Sequence, residues 1–182
     1  MNKMHEITIP SEDETRRDFL LHATVATGAI GAAISVWPLI NSMNPAADTL
    51  ALSSIEVNLA GLEEGQAITV SWRGKPVFIR HRTPQEIEMA KNESWQDLPD
   101  PEADEDRVLN DKYLIVVGIC THLGCIPLGQ KLTETRGEYN GYFCPCHGSH
   151  YDLSARIRKG PAPTNLEVPE YTFLSETNVK IG

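Results

Sequence analysis

Two short segments hold every cysteine of the chain: Cys120-Thr121-His122-Leu123-Gly124-Cys125 and Cys144-Pro145-Cys146-His147-Gly148-Ser149. Each offers one thiolate, one imidazole and one further cysteine. Two thiolates on one iron and two imidazoles on the other are a ligand set for a [2Fe–2S] cluster. The charge of that set decides its chemistry. Neutral imidazoles in place of two thiolates remove two negative charges, so such a centre is reduced at a higher potential than an all-cysteine one.

Four cysteines less two ligands leave two, and a free exposed thiol beside a redox centre is an oxidation liability. In Cys120-x-His122 both side chains project the same way from an extended loop, whereas the adjacent Cys146 and His147 project apart. This spacing favours Cys120, His122, Cys144 and His147 as metal ligands, with Cys125 bridged to Cys146. A stable bridge implies an oxidising compartment. A structural zinc site uses the same residue types, but the usual C-x2-C knuckles are absent. A papain-like nucleophile needs one activated cysteine, not two matched clusters.

The elements that must position these loops read as short strands. Residues 55–59 and 67–72 alternate apolar and polar with period two. Arg73-Gly74-Lys75-Pro76 reads as a turn and 77–81 as a returning strand. A short helix follows Pro84, over 86–91. The acidic, proline-bearing stretch 97–106 reads as a solvated surface loop. Residues 113–118 form a buried strand running into the first ligand loop, 128–139 a polar connection, and 141–143 a strand into the second. Residues 166–168, 171–174 and 178–181 close the chain as strands. The fold class is all-β: an antiparallel, sandwich-like head over 55–182, with a cluster-binding part at about 113–164. His5, His22 and His81 lie outside the ligand loops and carry no assigned function; His81 is expected on a strand surface.

The head is expected to sit on a single N-terminal anchor. Thr15-Arg16-Arg17-Asp18-Phe19-Leu20 reads as a twin-arginine export signal, used by proteins that fold around a cofactor before crossing a membrane. It closes a tail over 1–19 and leads into an uncharged stretch, 20–40, long enough to span hydrocarbon, with Trp37 as an interfacial anchor. The stretch exceeds a usual signal-peptide core and no A-x-A site follows, so it is retained as a transmembrane anchor. Only the arginine pair supports a cytoplasmic N-terminus, since Glu12, Asp13, Glu14 and Asp18 surround it. Residues 41–54 are small and polar and read as a linker. The net charge of −9 and the lack of a basic stripe argue against a nucleic-acid partner.

The chain resembles the Rieske iron–sulfur subunit of cytochrome bc complexes, the bacterial and mitochondrial quinol–cytochrome c oxidoreductases. The resemblance rests on CTHLGC (120–125), CPCHGSHYD (144–152), RIRKGPAP (156–163), WRGKPVFIRHRT (72–83) and the N-terminal anchor, and so covers nearly the whole chain. It implies Cys120 and Cys144 on the inner iron of a [2Fe–2S] cluster, and His122 and His147 on the outer one. It implies a second-sphere hydroxyl from Ser149 to a bridging sulfide and one from Tyr151 to the Cys120 sulfur, each favouring the reduced state. Gly124 and Gly148 would let backbone N–H groups approach the cluster, Leu123 would cover its edge, and Pro161 and Pro163 would brace it.

The resemblance further implies partners: a cytochrome b subunit with a quinol pocket and a c-type cytochrome, within a dimeric translocase of a bacterial inner (plasma) membrane, the head periplasmic. The linker then becomes a hinge for a moving head, and His122 and His147 become the groups that couple proton to electron. The small subunit of a periplasmic oxyanion oxidase would share the signal and the loops, and is the alternative. One departure stands out. Ala155 occupies a position where the family usually has glycine; a positive φ there would strain it.

Overall fold

The computed structural model describes residues 16–44 and 53–182, in two compact units. Residues 1–15 of the expected tail over 1–19, and 45–52 of the expected linker, lie outside the described residues.

The first unit is one helix, α1 (Arg16–Asn41), with no buried residue. It encloses the apolar stretch and at 1.5 Å per residue runs about 39 Å, enough to cross hydrocarbon. Its hydroxyls do not stay unpaired. Thr24, Thr27 and Ser35 each donate to the carbonyl four residues back, all at 2.8 Å. That internal pairing is what an apolar solvent demands of a polar side chain. Pro38 falls within the last turn, so the bond it cannot give back to the preceding turn is lost close to the helix end.

The second unit is built from three three-stranded antiparallel sheets. The middle one has the order β2 (Ala67–Trp72), β3 (Lys75–His81), β4 (Tyr113–Val117). Its hairpin turns on Arg73 and Gly74, both at positive φ (50° and 75°), the two-residue turn that suits strand twist. A base sheet joins β1 (Ile55–Asn58), β9 (Asn178–Ile181) and β8 (Tyr171–Phe173). The third sheet joins β5 (Tyr142–Cys144), β6 (Ser149–Tyr151) and β7 (Ile157–Lys159).

Side-chain alternation shows how the layers stack. Val77, Ile79 and Ile115 of the middle sheet pack with Val179 and Ile181 of the base sheet. Their neighbours Phe78, Leu114 and Val116 face the other way, onto Tyr142, Cys144, Tyr151 and Ile157. All five β4 residues are buried, which explains their continuous apolar run. The middle sheet thus lies between two cores, so the head has three layers where a sandwich has two.

Two helices join the strands: α2 (Pro84–Asn92), started by a capping box between Thr83 and Glu86, and α3 (Asp104–Arg107). Several local expectations are corrected. Residues 166–168 are not a strand, although the Glu167 carbonyl accepts from Val117 N–H at 2.7 Å. His81 is half-buried, its Nδ1 2.7 Å from the Leu62 carbonyl and its ring against Tyr113. The acidic stretch is not wholly solvated either. Asp104 is buried and pairs with the buried Arg82 at 2.7 Å, the arrangement a charge inside the head requires.

Candidate metal centre

The first ligand loop leaves the end of β4 and the second is the β5–β6 hairpin. Both are built on the same turn. The Gly124 amide closes back on the Cys120 carbonyl at 2.9 Å, and the Gly148 amide on the Cys144 carbonyl at 3.0 Å. Both glycines sit at positive φ, 82° and 75°, where an L side chain is strained. Their N–H groups are therefore spent on closing the turns.

Cys125 and Cys146, one from each loop, are joined as a disulfide across Cα atoms 6.8 Å apart. Among the described residues, three sulfurs (Cys125, Cys144 and Cys146) gather within 4.8 Å of one another. Two of those are bonded to each other and have no thiolate to offer, so Cys144 is the donor of that group. Cys120 and Cys144 are free and buried.

Beside the thiols stand the imidazoles. The rings of His122 and His147 lie 4.6 Å apart, edge to face. His122 Nδ1 is buried without a hydrogen-bond partner. A buried ring nitrogen left orphaned next to two free buried thiols fits a metal-ligating set. His147 and Cys146 are exposed, so one edge of the site faces solvent.

Hydrogen bonds tune the thiols. Tyr151, fully buried, donates its hydroxyl to Cys120 Sγ at 3.2 Å. Burial pushes the Cys120 thiol up, but hydrogen bonds from Tyr151, the His122 backbone, Cys144 and Ser149 outweigh it and hold it below the usual thiol range. Cys144 is pushed up, first by burial and then by its place beside Cys120. Burial and the bond to Cys120 also raise Tyr151, which keeps its hydroxyl a donor. Ser149 Oγ accepts from Ala162 N–H at 3.2 Å, leaving its own proton to turn toward the sulfur.

A third segment closes the side. Thr121 Oγ1 donates to the Thr164 carbonyl at 2.7 Å, tying the first loop to the 160–164 turn. Ala162 is buried there, while Pro161 and Pro163 are exposed. Leu123, 71% exposed, and Ile126, 59% exposed, stand out from the first loop as an apolar tip. Sequence reasoning missed Thr121 and Ala162. Thr121 could have been found as a hydroxyl inside the C-x-H motif; Ala162 acts through its backbone and leaves no signal in residue type.

Residues 58–172 match the family described as "Rieske [2Fe-2S] domain", and residues 8–46 match "Ubiquitinol-cytochrome C reductase Fe-S subunit TAT signal". A ubiquinol-cytochrome c reductase iron-sulfur subunit of Rhodospirillum rubrum is 58% identical over 178 residues, covering 98% of this chain and 97% of that one. The subunit of the same name in Rickettsia conorii is 53% identical over 94% of this chain and 96% of its own. The one in Bradyrhizobium diazoefficiens is 52% identical over 94% and 97%. Among solved structures, a chain of "Hyperthermophilic respiratory Complex III" superposes with a TM-score of 0.51 at 23% identity, covering 86% of this chain and 96% of that chain, and so shares the fold. With a Rieske [2Fe–2S] domain and the family's signal region matched in one chain, and relatives more than half identical over nearly its whole length, this protein belongs to the Rieske iron–sulfur subunits of the ubiquinol–cytochrome c reductase family.

Proposed function

We propose that this chain takes one electron from quinol at a cytochrome b pocket and passes it to a c-type haem, as the iron–sulfur subunit of a proton-translocating quinol–cytochrome c reductase. The observation that carries the reading is the exposed His147 with the half-buried His122 ring against it, at the edge of a site whose thiols are buried. Cys120, Cys144, His122 and His147 would hold the cluster, which when bound supplies a one-electron acceptor.

The side chains supply the rest. An imidazole held through Nδ1 carries its proton on Nε2; in the deprotonated form that nitrogen can accept a hydrogen bond from a quinol hydroxyl and then take its proton. Proton and electron leave the donor together at His122 or His147. The apolar tip of Leu123 and Ile126 excludes water where the donor docks. Tyr151 and Ser149 set the affinity of the site for the electron. The Cys125–Cys146 bridge holds the loops in register.

One exposed edge cannot touch quinol and haem at once, so the head moves between them. Residues 41–54 are the proposed hinge, α1 the anchor, and the head is periplasmic, in a dimeric complex. The test is electron paramagnetic resonance of the reduced membrane fraction, with and without a quinol-site inhibitor, on a complex checked for b- and c-type haems. A cluster spectrum that shifts with the inhibitor supports the reading. A spectrum blind to the inhibitor, in a preparation without those haems, would favour a stand-alone carrier or an oxidase subunit. Thr49→Pro with Leu50→Pro tests the hinge: the potential should hold while turnover falls about tenfold, and normal turnover would refute movement.

A further inference from the structure

Tyr151 stands at an irregularity. Strand β6 pairs His150 with Lys159 and Tyr151 with Ile157, so Arg158 is skipped in the backbone ladder, which slips at the tyrosine. A slip of this kind re-aims the neighbouring side chain, and something must hold it.

The turn just beyond does so. Asp152 N–H donates to the Arg156 carbonyl at 2.9 Å, and Ala155 N–H to the Asp152 carbonyl at 2.9 Å. The Asp152 carboxylate fills the turn: Oδ1 accepts from the amides of Ser154 and Arg156, both at 2.9 Å, and Oδ2 accepts from Arg156 Nε at 2.8 Å. The Arg156 side chain is fully buried and that of Asp152 is 4% exposed. The guanidinium reaches on, to the Ala90 carbonyl of α2 at 3.1 Å and the Glu102 carbonyl at 3.2 Å. Arg107 pins the same turn from the other side, donating to the Ser154 carbonyl at 2.6 Å. At Gly141, an added Cβ would come within 1.8 Å of the Asp152 carbonyl oxygen. The turn therefore has no room to shift toward β5.

A buried ion pair of this kind is expensive, and a hydrophobic pair of the same volume would often serve stability better. Geometry explains its presence better than stability does. Six backbone and side-chain donors converge on one turn, and the residue immediately before it is the one whose hydroxyl meets Cys120 Sγ at 3.2 Å.

We infer that Asp152, locked by Arg156, is a positioning residue for the Tyr151 hydroxyl, and through it sets the redox potential of the centre. The inference rests on the proposed roles of Cys120 and Tyr151. Asp152→Asn isolates the effect. Its Oδ1 still accepts both amides, but its NH2 faces Arg156 Nε–H, donor against donor, and the lock opens. Because the variant leaves a buried guanidinium unpaired, Asp152→Asn with Arg156→Gln removes both charges as a second version.

The experiment is a potentiometric titration of the cluster signal in the full-length protein in its membranes, for both versions, with and without Tyr151→Phe. Loss of positioning weakens a bond that favours the reduced state, so the reduced-to-oxidised ratio at a fixed potential should fall about threefold, roughly 30 mV at 59 mV per tenfold. In the Tyr151→Phe background the same change should do nothing. A direct charge effect has the opposite sign, since removing a carboxylate favours the added electron. A rise in potential, an equal fall in both backgrounds, or failure of both versions to load the cluster would each overturn the inference. Tyr151→Phe alone leaving the potential unchanged would instead remove the role of Tyr151, and this inference with it. Tyr151→Phe lowering it while Asp152→Asn does not would reject the inference alone.

Discussion

The Ser149 hydroxyl holds the Ala162 amide at 3.2 Å, so one side chain joins the second ligand loop to the turn that flanks it. The same oxygen keeps its own proton for the sulfur side of the site, where it lowers Cys120. Ser149→Ala removes both bonds. A hydrogen bond to a charged group is worth ~1.5–3 kcal/mol. If half or more of that differs between redox states, the midpoint potential drops by on the order of 50–100 mV. Redox titration checks this, and an unchanged potential would take Ser149 out of the tuning set.

Cys125 and Cys146 act as one unit. Cys125→Ser and Cys146→Ser should each weaken cluster retention, and the double variant should be no worse than either single one. Peptide mapping without reduction should yield one linked pair. Two free thiols in fully loaded protein would contradict the assignment of ligands.

Ala155 adopts φ 60° in a fully buried position, the strained state expected if this site favours glycine. The left-handed conformation costs an L residue roughly 1–2 kcal/mol. Ala155→Gly relieves that strain, but it gives up about 0.8 kcal/mol of methyl burial and some unfolded-chain restriction. The terms nearly cancel, and thermal melting should show a change within about 0.5 kcal/mol. Ala155→Val adds bulk and a β-branch at the same φ and should lose about 2–5 kcal/mol. Equal melting of the two variants would show that the backbone relaxes there.

Glu86 pairs with Arg80 at 2.6 Å and Arg136 at 2.8 Å. Burial raises its carboxyl, but the hydrogen bonds and charges of Arg80 and Arg136 outweigh this and hold it below its ordinary value of 4.5. A depressed carboxylate gives stability that is fully present above the unfolded value and is lost as pH falls through the folded one. Glu86→Gln should therefore destabilise the head at pH 7, by on the order of 1.5–3 kcal/mol. It should also flatten the loss of stability below about pH 4.5. Denaturation measured at pH 7 and pH 3 separates these outcomes; equal destabilisation at both would mean the charge is not involved.

The chemistry was legible in the sequence because it is local. Each ligand loop brings its cysteine and histidine within four residues, and the hairpin at Arg73-Gly74 and the run into β4 carry their own patterns. What was hidden depends on distance along the chain. Arg82 meets Asp104 across 22 residues, and Asp104 meets Ser154 across 50, so charged residues that read as surface are buried. Arg156 opens the motif Arg-Ile-Arg-Lys, where three cations in four residues suggest a surface, yet its exposure is 0%. The third layer was hidden for the same reason, since alternation along β3 reveals two faces but not what covers each.

Val77 and Phe78 are adjacent in one strand and belong to different cores. A sheet shared in this way makes cooperativity unavoidable. Melting the base layer strips one face of β3 and β4, and β4 is the strand that ends in the first ligand loop. The head should therefore melt in a single step, with bleaching of the cluster and loss of sheet structure following one curve. Damage in the base layer, at Val179 or Ile181, would therefore show as a loss of colour as much as a loss of sheet.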